Sequence, residues 1–196
     1  MKLILVRHGE TDWNLKERIG GEGVPLNKEG IGQARKVGLR LKNERIDAIY
    51  SSDMKRAKQT AEEIAKFHGI PIVQSKLIRE RAFGKLEGLT AKEHRELREA
   101  SGLPKHLYRP PGGENYTDIA KRVREFLAQI RRKHGNENVI VVTHAAVIRS
   151  FINILAGKPL ESIFDMERHE NTAVSVIELM PGTPPKIHYL NSTEHL

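Results

Sequence analysis

A chain of 196 residues with 38% hydrophobic and 30% charged content can bury a substantial core in one domain and is too apolar to stay disordered. No apolar run approaches the roughly 20 residues a membrane span needs, and "RHGE" breaks the N-terminal apolar stretch too early for a secretory signal, so a cytoplasmic protein is expected. The absence of cysteine excludes disulfides, thiolate metal sites and a cysteine nucleophile, while a formal charge of +8 points to nucleic acid or to a small acidic substrate.

In chain order, "KLILV" (2–6) is a continuous apolar run, which fits a strand buried on both faces. It stops at Arg7, His8 and Gly9, where a buried cation needs a partner. A helix follows over 26–44, with Asn27 as its N-cap. "IDAIYSS" (46–52) reads as a second strand, and 54–69 as a helix stopped by Gly69. A short strand is expected near "IPIVQ" (70–74). Residues 78–111 are irregular, with a helical piece at "TAKEHRELREA" (90–100). A long amphipathic helix covers 112–135 and ends at Gly135. "NVIVVTH" (138–144) is the most apolar strand, and a helix over 145–157 leaves it directly. Residues 172–180 and 185–190 form a closing pair of strands around a Pro/Gly turn.

Strands separated by helices predict an α/β fold: a three-layer α/β/α sandwich with a mostly parallel central sheet, one domain over residues 1–196. Basic residues alternate with acids along the helices, as in "KRVREFLAQIRRKHG", which makes solvated helix faces. Aromatic residues are only 5% and are not interleaved with the basic ones, so neither nucleic acid nor a membrane is an expected partner.

In sheets of this kind, ligands bind beyond the carboxyl ends of the strands. Arg7, His8, Arg56 and His144 all fall at such ends, beside helix N-termini whose free N–H groups and dipoles attract anions. That combination describes a phosphate site. A phosphoryl group could rest there or be transferred. Transfer needs a nucleophile, neutralised equatorial oxygens and an acid for the leaving oxygen. Without cysteine the natural nucleophile is a neutral imidazole, and local pattern does not choose between His8 and His144. His68, His94, His106, His134, His188 and His195 read as structural or surface residues. Gly9 is expected to let the backbone fold closely around the His8 ring.

Five blocks, "LVRHGETDWN", "SSDMKRAKQTA", "IRERAFGKLEG", "PPGGEN" and "VVTHAAVIR", occur in one order and span most of the chain. Together they resemble the histidine phosphatase superfamily, which includes the cofactor-dependent phosphoglycerate mutases. The resemblance implies that His8 is the nucleophile and forms a phosphohistidine. It implies that Arg7, Arg56 and His144 hold the phosphoryl oxygens, with Asn14 donating a further hydrogen bond. Glu80 would be the general acid, then the base for the attacking water, and its protonated form must be reachable near working pH. Glu10, Glu87 and Glu114 compete for that role, but each also reads as a loop or helix-capping acid. Neither a metal nor another cofactor is implied.

Some positions depart from the family pattern. Ala145 and Ala146 stand where paired glycines are frequent, and Ala145 is expected still to turn its backbone N–H to the phosphate. Gly23 replaces a common acid in a segment one residue short, and Asn115 replaces a frequent serine. The interval 89–111 is shorter than the insertion that encloses substrate in the mutases. That favours a phosphatase of small phosphorylated metabolites over a mutase or a non-catalytic phospho-ligand binder. Lys105, His106, Tyr108 and Arg109 in this interval are candidate contacts to the rest of the substrate, and a homodimer is compatible with the sequence.

Overall fold

A computed structural model describes residues 1–196, with β1 (Lys2–Arg7) at its centre. Residues 3–6 are at most 1% exposed. Successive strand side chains point to opposite faces, so Leu3 and Leu5 enter one core while Ile4 and Val6 enter another. This is why the run is apolar without alternation. The strand runs between two helix layers.

The remaining elements are α1 (Asp12–Leu15), α2 (Lys28–Leu41), β2 (Ala48–Ser52), α3 (Lys55–Ala65), β3 (Ile72–Ser75) and α4 (Ala91–Ala100). They continue with α5 (Tyr116–Lys133), β4 (Asn138–Thr143), α6 (Ala145–Leu155), β5 (Val174–Glu178) and β6 (Lys186–Ser192). Val37 and Leu41 of α2 join Ala57, Ala61 and Ile64 of α3 to cover one face. Ile119, Val123 and Phe126 of α5 join Val147 and Phe151 of α6 on the other. Each helix buries its apolar stripe and leaves its charges to water.

The six strands lie in the order β3-β2-β4-β1-β5-β6. β1 pairs parallel to β4, and β2 pairs parallel to both β4 and β3. β5 runs antiparallel to β1, and β6 antiparallel to β5. The α/β sandwich with a mostly parallel sheet is therefore the observed architecture. Because β1, β2 and β4 are parallel, their carboxyl ends share one edge, and the residues that follow them meet there. No helix is long and apolar enough to cross a membrane.

Boundaries differ from expectation where side chains compete for backbone groups. The short α1 was not expected: Thr11 and Asn14 close it reciprocally, each side chain bonding the other's backbone N–H. The long helix begins at Tyr116, not 112, because Asn115 and Asp118 form the same kind of box. The glycines before it form a turn. The helix expected to reach Gly69 ends at Ala65, and the chain turns three residues further before Gly69 takes φ +62°.

Candidate active site

His8 follows β1 directly, and its backbone N–H donates to Thr143 O of β4 at 2.9 Å. Its ring is 5.1 Å, centroid to centroid, from that of His144, which follows β4. The His8 Nδ1–H donates to Gly9 O at 2.7 Å, and Arg56 Nε donates to His8 Nε2 at 3.2 Å. A carbonyl can only accept and a guanidinium can only donate. These two bonds therefore select the neutral tautomer with its proton on Nδ1 and a lone pair on Nε2. Burial, then the neighbouring Arg56 and Arg7, hold His8 well below the ordinary histidine range.

Gly9 serves a different contact from the one expected. A Cβ there would lie 2.5 Å from Gly30 O, so the constraint is the backbone of α2's first turn and not the His8 ring. Gly30 answers it, since a Cβ on that residue would meet Glu10 O at 2.1 Å. The His8–Glu10 turn and α2 approach each other backbone to backbone.

Arg7 is buried, and its Nη1 donates to His169 O at 2.6 Å while its Nε has no partner. Burial, with Arg168 next in effect, pushes Arg7 down to about 10. Arg56, in the first turn of α3, gives Nη1 to Gly21 O at 2.6 Å and Nε to His8. Neither cation forms an ion pair with an acid. Both are held by neutral groups, which leaves their charge available to an anion.

His144 is fully buried and lies behind the cavity wall, not on it. Its Nε2 is 2.9 Å from Ser52 Oγ, which also accepts from Met54 N at 3.3 Å. The Ser52 hydroxyl, which accepts from Met54 N, can either give a proton to His144 Nε2 or accept one from it. His144 Nδ1 is a buried ring nitrogen without a protein partner. Burial and the adjacent Arg56 keep this ring neutral as well. Ala145 and Ala146, the first residues of α6, line the cavity, and no side chain caps that helix start. Asn14 lines it too; its Oδ1 accepts from Thr11 N at 3.1 Å and Asn171 Nδ2 at 3.3 Å.

Glu80 reaches the cavity on a loop that is pinned at several points. Arg79 forks onto Asp53, with both bonds at 2.6 Å, at the end of β2. Arg122 of α5 donates to Leu77 O at 2.8 Å and Glu80 O at 3.3 Å. The Glu80 carboxylate accepts from Arg81 N at 2.8 Å through Oε1. Gly84 sits where a Cβ would meet Pro111 O at 2.2 Å, so the loop and the 110–113 turn press together. The competing acids have structural partners. Glu114 takes Arg122 and Ala82 N, Glu10 takes Asn27, and Glu87 takes Gly21 N.

The cavity has a volume of about 260 Å³. Six arginines line it, Arg7, Arg18, Arg56, Arg81, Arg149 and Arg168, against two acids, Glu17 and Glu80. Its lining is dominated by cations, with one acid on the pinned loop. Trp13, Phe83 and Tyr116 add apolar surface. Lys105, His106, Tyr108 and Arg109 do not line it. Arg109 pairs with Asp118 at 2.7 Å, His106 lies 3.3 Å from Glu161, Lys105 sits 6.0 Å over Phe164, and Tyr108 is buried with its carbonyl on Arg81. No group of three or more His, Asp or Glu side chains is placed to hold a metal ion.

Sequence reasoning missed Arg149, Arg168, His169 and Asn171. Arg149 stands four residues after Ala145, on the same helix face, and that spacing was available as a signal. The other three lie between α6 and β5, where no periodicity points to them.

An anion pocket at the carboxyl edge of a parallel sheet, with a neutral imidazole at its base and a carboxyl group on its wall, defines a class: phosphoryl-transfer enzymes that use protein cations to hold the phosphoryl group. A family model described as the histidine phosphatase superfamily (branch 1) matches residues 3–193. The chain is 36% identical over 203 residues to "Phosphoglycerate mutase-like protein 4" of Arabidopsis thaliana, covering 100% of this chain and 86% of that protein. It is 43% identical over 157 residues to a metal-independent phosphoserine phosphatase of the same plant, covering 76% of this chain and 66% of the relative. Among solved structures, YhfR of Bacillus stearothermophilus superposes with a TM-score of 0.90 at 33% identity, over 99% of this chain and 98% of that one. The chain belongs to the histidine phosphatase superfamily and is one of its phosphatases.

Proposed function

We propose that the protein hydrolyses phosphomonoesters in two steps, through a phosphohistidine on Nε2 of His8. The observation that carries this reading is the fixed tautomer: His8 keeps its lone pair on Nε2 inside a pocket of unpaired cations. Substrate phosphate would displace Arg56 from Nε2, and Arg7, Arg56, Asn14 and, in its Nδ1-protonated tautomer, His144 would bind its oxygens. As the P–O ester bond breaks and the N–P bond forms, negative charge grows on those oxygens, where preorganised donors are most effective. Protonated Glu80 gives its proton to the leaving alcohol. The resulting carboxylate then takes a proton from water, which attacks phosphorus and returns His8 to its starting form.

Hydrolysis and mutase chemistry share these steps and differ in whether water reaches the phosphohistidine. The interval 89–111 contributes only Ala91 to the cavity wall, so no insertion encloses the intermediate. This supports hydrolysis. For the leaving group, Arg149, whose Nη2 donates to the Tyr116 hydroxyl at 3.3 Å, and the exposed Arg168 both line the cavity and suit a second negative charge. We infer that substrates such as phosphoserine, whose carboxylate would meet these cations, are turned over better than esters that lack the carboxylate. The test compares phosphoserine with phosphoethanolamine and follows phosphate release beside interconversion of 3- and 2-phosphoglycerate. A lower KM for phosphoserine with no interconversion is expected. Equal KM values, or interconversion faster than release, would overturn the assignment.

A further inference from the structure

Between α6 and β5 the chain passes over the nucleophile turn, and its polar groups there are committed to the site. His169 O accepts from Arg7 at 2.6 Å, and Ala173 O accepts from Arg7 N at 3.2 Å. Thr172 N donates to His8 O at 3.3 Å. The Asn171 carboxamide reaches two groups from one Nδ2: His8 O at 3.0 Å and Asn14 Oδ1 at 3.3 Å. The segment is itself clamped by β5, β6 and the residues after them. Asn191 Oδ1 accepts from Glu170 N at 2.8 Å, Ser175 Oγ lies 3.1 Å from His169 Nε2, and Thr172 Oγ1 lies 3.1 Å from His195 Nε2.

The backbone of this segment is strained. Thr172 has φ +56° and is fully buried. A β-branched residue in the left-handed region is strained and persists only where its surroundings demand it. That strained residue follows Asn171, whose carboxamide is held by its two acceptors.

We propose that Asn171 is a positioning residue that sets the orientation of the Asn14 amide. Asn14 Oδ1 is met by two donors, Thr11 N–H and Asn171 Nδ2, so the oxygen end is held by protein and the NH₂ end is left to donate to a phosphoryl oxygen. With Asn171 removed, Thr11 alone holds that amide. It can then rotate and present an acceptor to an anion, which repels it. The role rests on the phosphatase reading above and adds to it a residue that need not touch substrate.

The experiment is a double-mutant cycle of Asn171→Leu and Asn14→Ala, read by kcat/KM for nitrophenyl phosphate, by Ki for inorganic phosphate, and by melting temperature. Asn171→Leu is expected to weaken phosphate inhibition and kcat/KM by about tenfold, the size of one lost positioning hydrogen bond. In the Asn14→Ala background the same change should alter the Ki by less than about threefold, because the group it orients is gone. Multiplicative losses, or wild-type values for Asn171→Leu, would refute the role. Asn171→Ala repeats the cycle with a side chain that cannot clash. Failure of both variants to fold would also refute it, since that marks a structural residue. Turnover and phosphate inhibition of the unaltered protein test the phosphatase reading separately.

Discussion

The floor and the rim of the cavity are built on different physical terms. On the floor, Arg7 ends β1, His8 follows it and Arg56 lies in the first turn of α3, with His144 behind them after β4; all four are buried, and backbone carbonyls or neutral side chains hold them. At the rim, Glu80, Arg149 and Arg168 come from a pinned loop, a helix face and an exposed connection. In the proposed mechanism, rigid sheet edges fix the groups assigned to phosphorus, and the surrounding segments supply those assigned to the leaving group. One fold can therefore keep its chemistry while its rim changes substrate.

The comparison predicts a hierarchy of losses. His8→Ala should lower turnover of any phosphomonoester by about 10⁴-fold or more, because no other group offers an unprotonated nitrogen at the pocket base. Comparable activity in that variant would mean the floor does not do the chemistry. Glu80→Gln should cost roughly 10²–10³-fold on alkyl phosphates but far less in the first step on nitrophenyl phosphate, whose leaving group needs no proton. An equal first-step loss on both, seen by pre-steady-state release, would remove Glu80 from the acid role.

Rim changes should be milder. Arg149→Ala or Arg168→Ala should raise KM for phosphoserine about tenfold or less and leave kcat near its starting value. A fall in kcat alone would place these arginines with the floor. Activity in excess chelator should be unchanged, because arginines occupy the role a cation would fill; a loss would reveal a metal site.

The smallest effect expected is on stability. His8 and His144 are neutral in the fold, whereas in the unfolded chain they take up protons near pH 6.5. Below that pH the unfolded state binds more protons, so stability falls as pH falls, by about 1.4 kcal/mol per unit for each buried histidine. Above it these groups contribute no slope. His169, pushed down to about 4 chiefly by burial, adds to the slope only between roughly pH 6.5 and 4. His8→Asn should flatten the slope of unfolding free energy against pH by one proton, and an unchanged slope would show that His8 is not held neutral.

How far each region was legible in the sequence follows from the same difference. An apolar run ending in "RHG" or "TH" is a local signal, and parallel pairing turns three such ends into one site, so the floor and the sheet could be read before the structure. Glu80 came from resemblance to a family pattern, since nothing local distinguishes it from Glu87 or Glu114 until Arg122 and Gly21 N claim those acids. Arg168 and Asn171 were illegible because an irregular connection has no period. Lys105, His106, Tyr108 and Arg109, candidates for substrate contact in the sequence, do not line the cavity. Their segment turns away from the cavity: His94 stacks edge-on against Phe83 and Tyr108, and Arg109 is taken by Asp118.

The central claim is that phosphorus passes through Nε2 of His8. Glu80→Gln with nitrophenyl phosphate tests it most directly, because the first step proceeds without an acid while the hydrolysis step loses its base. Rapid quenching followed by intact mass and peptide mapping should find one phosphoryl group, labile to acid and stable to alkali, on His8. Continued turnover with no phosphoryl group on the protein, or the group on another residue, would contradict the account.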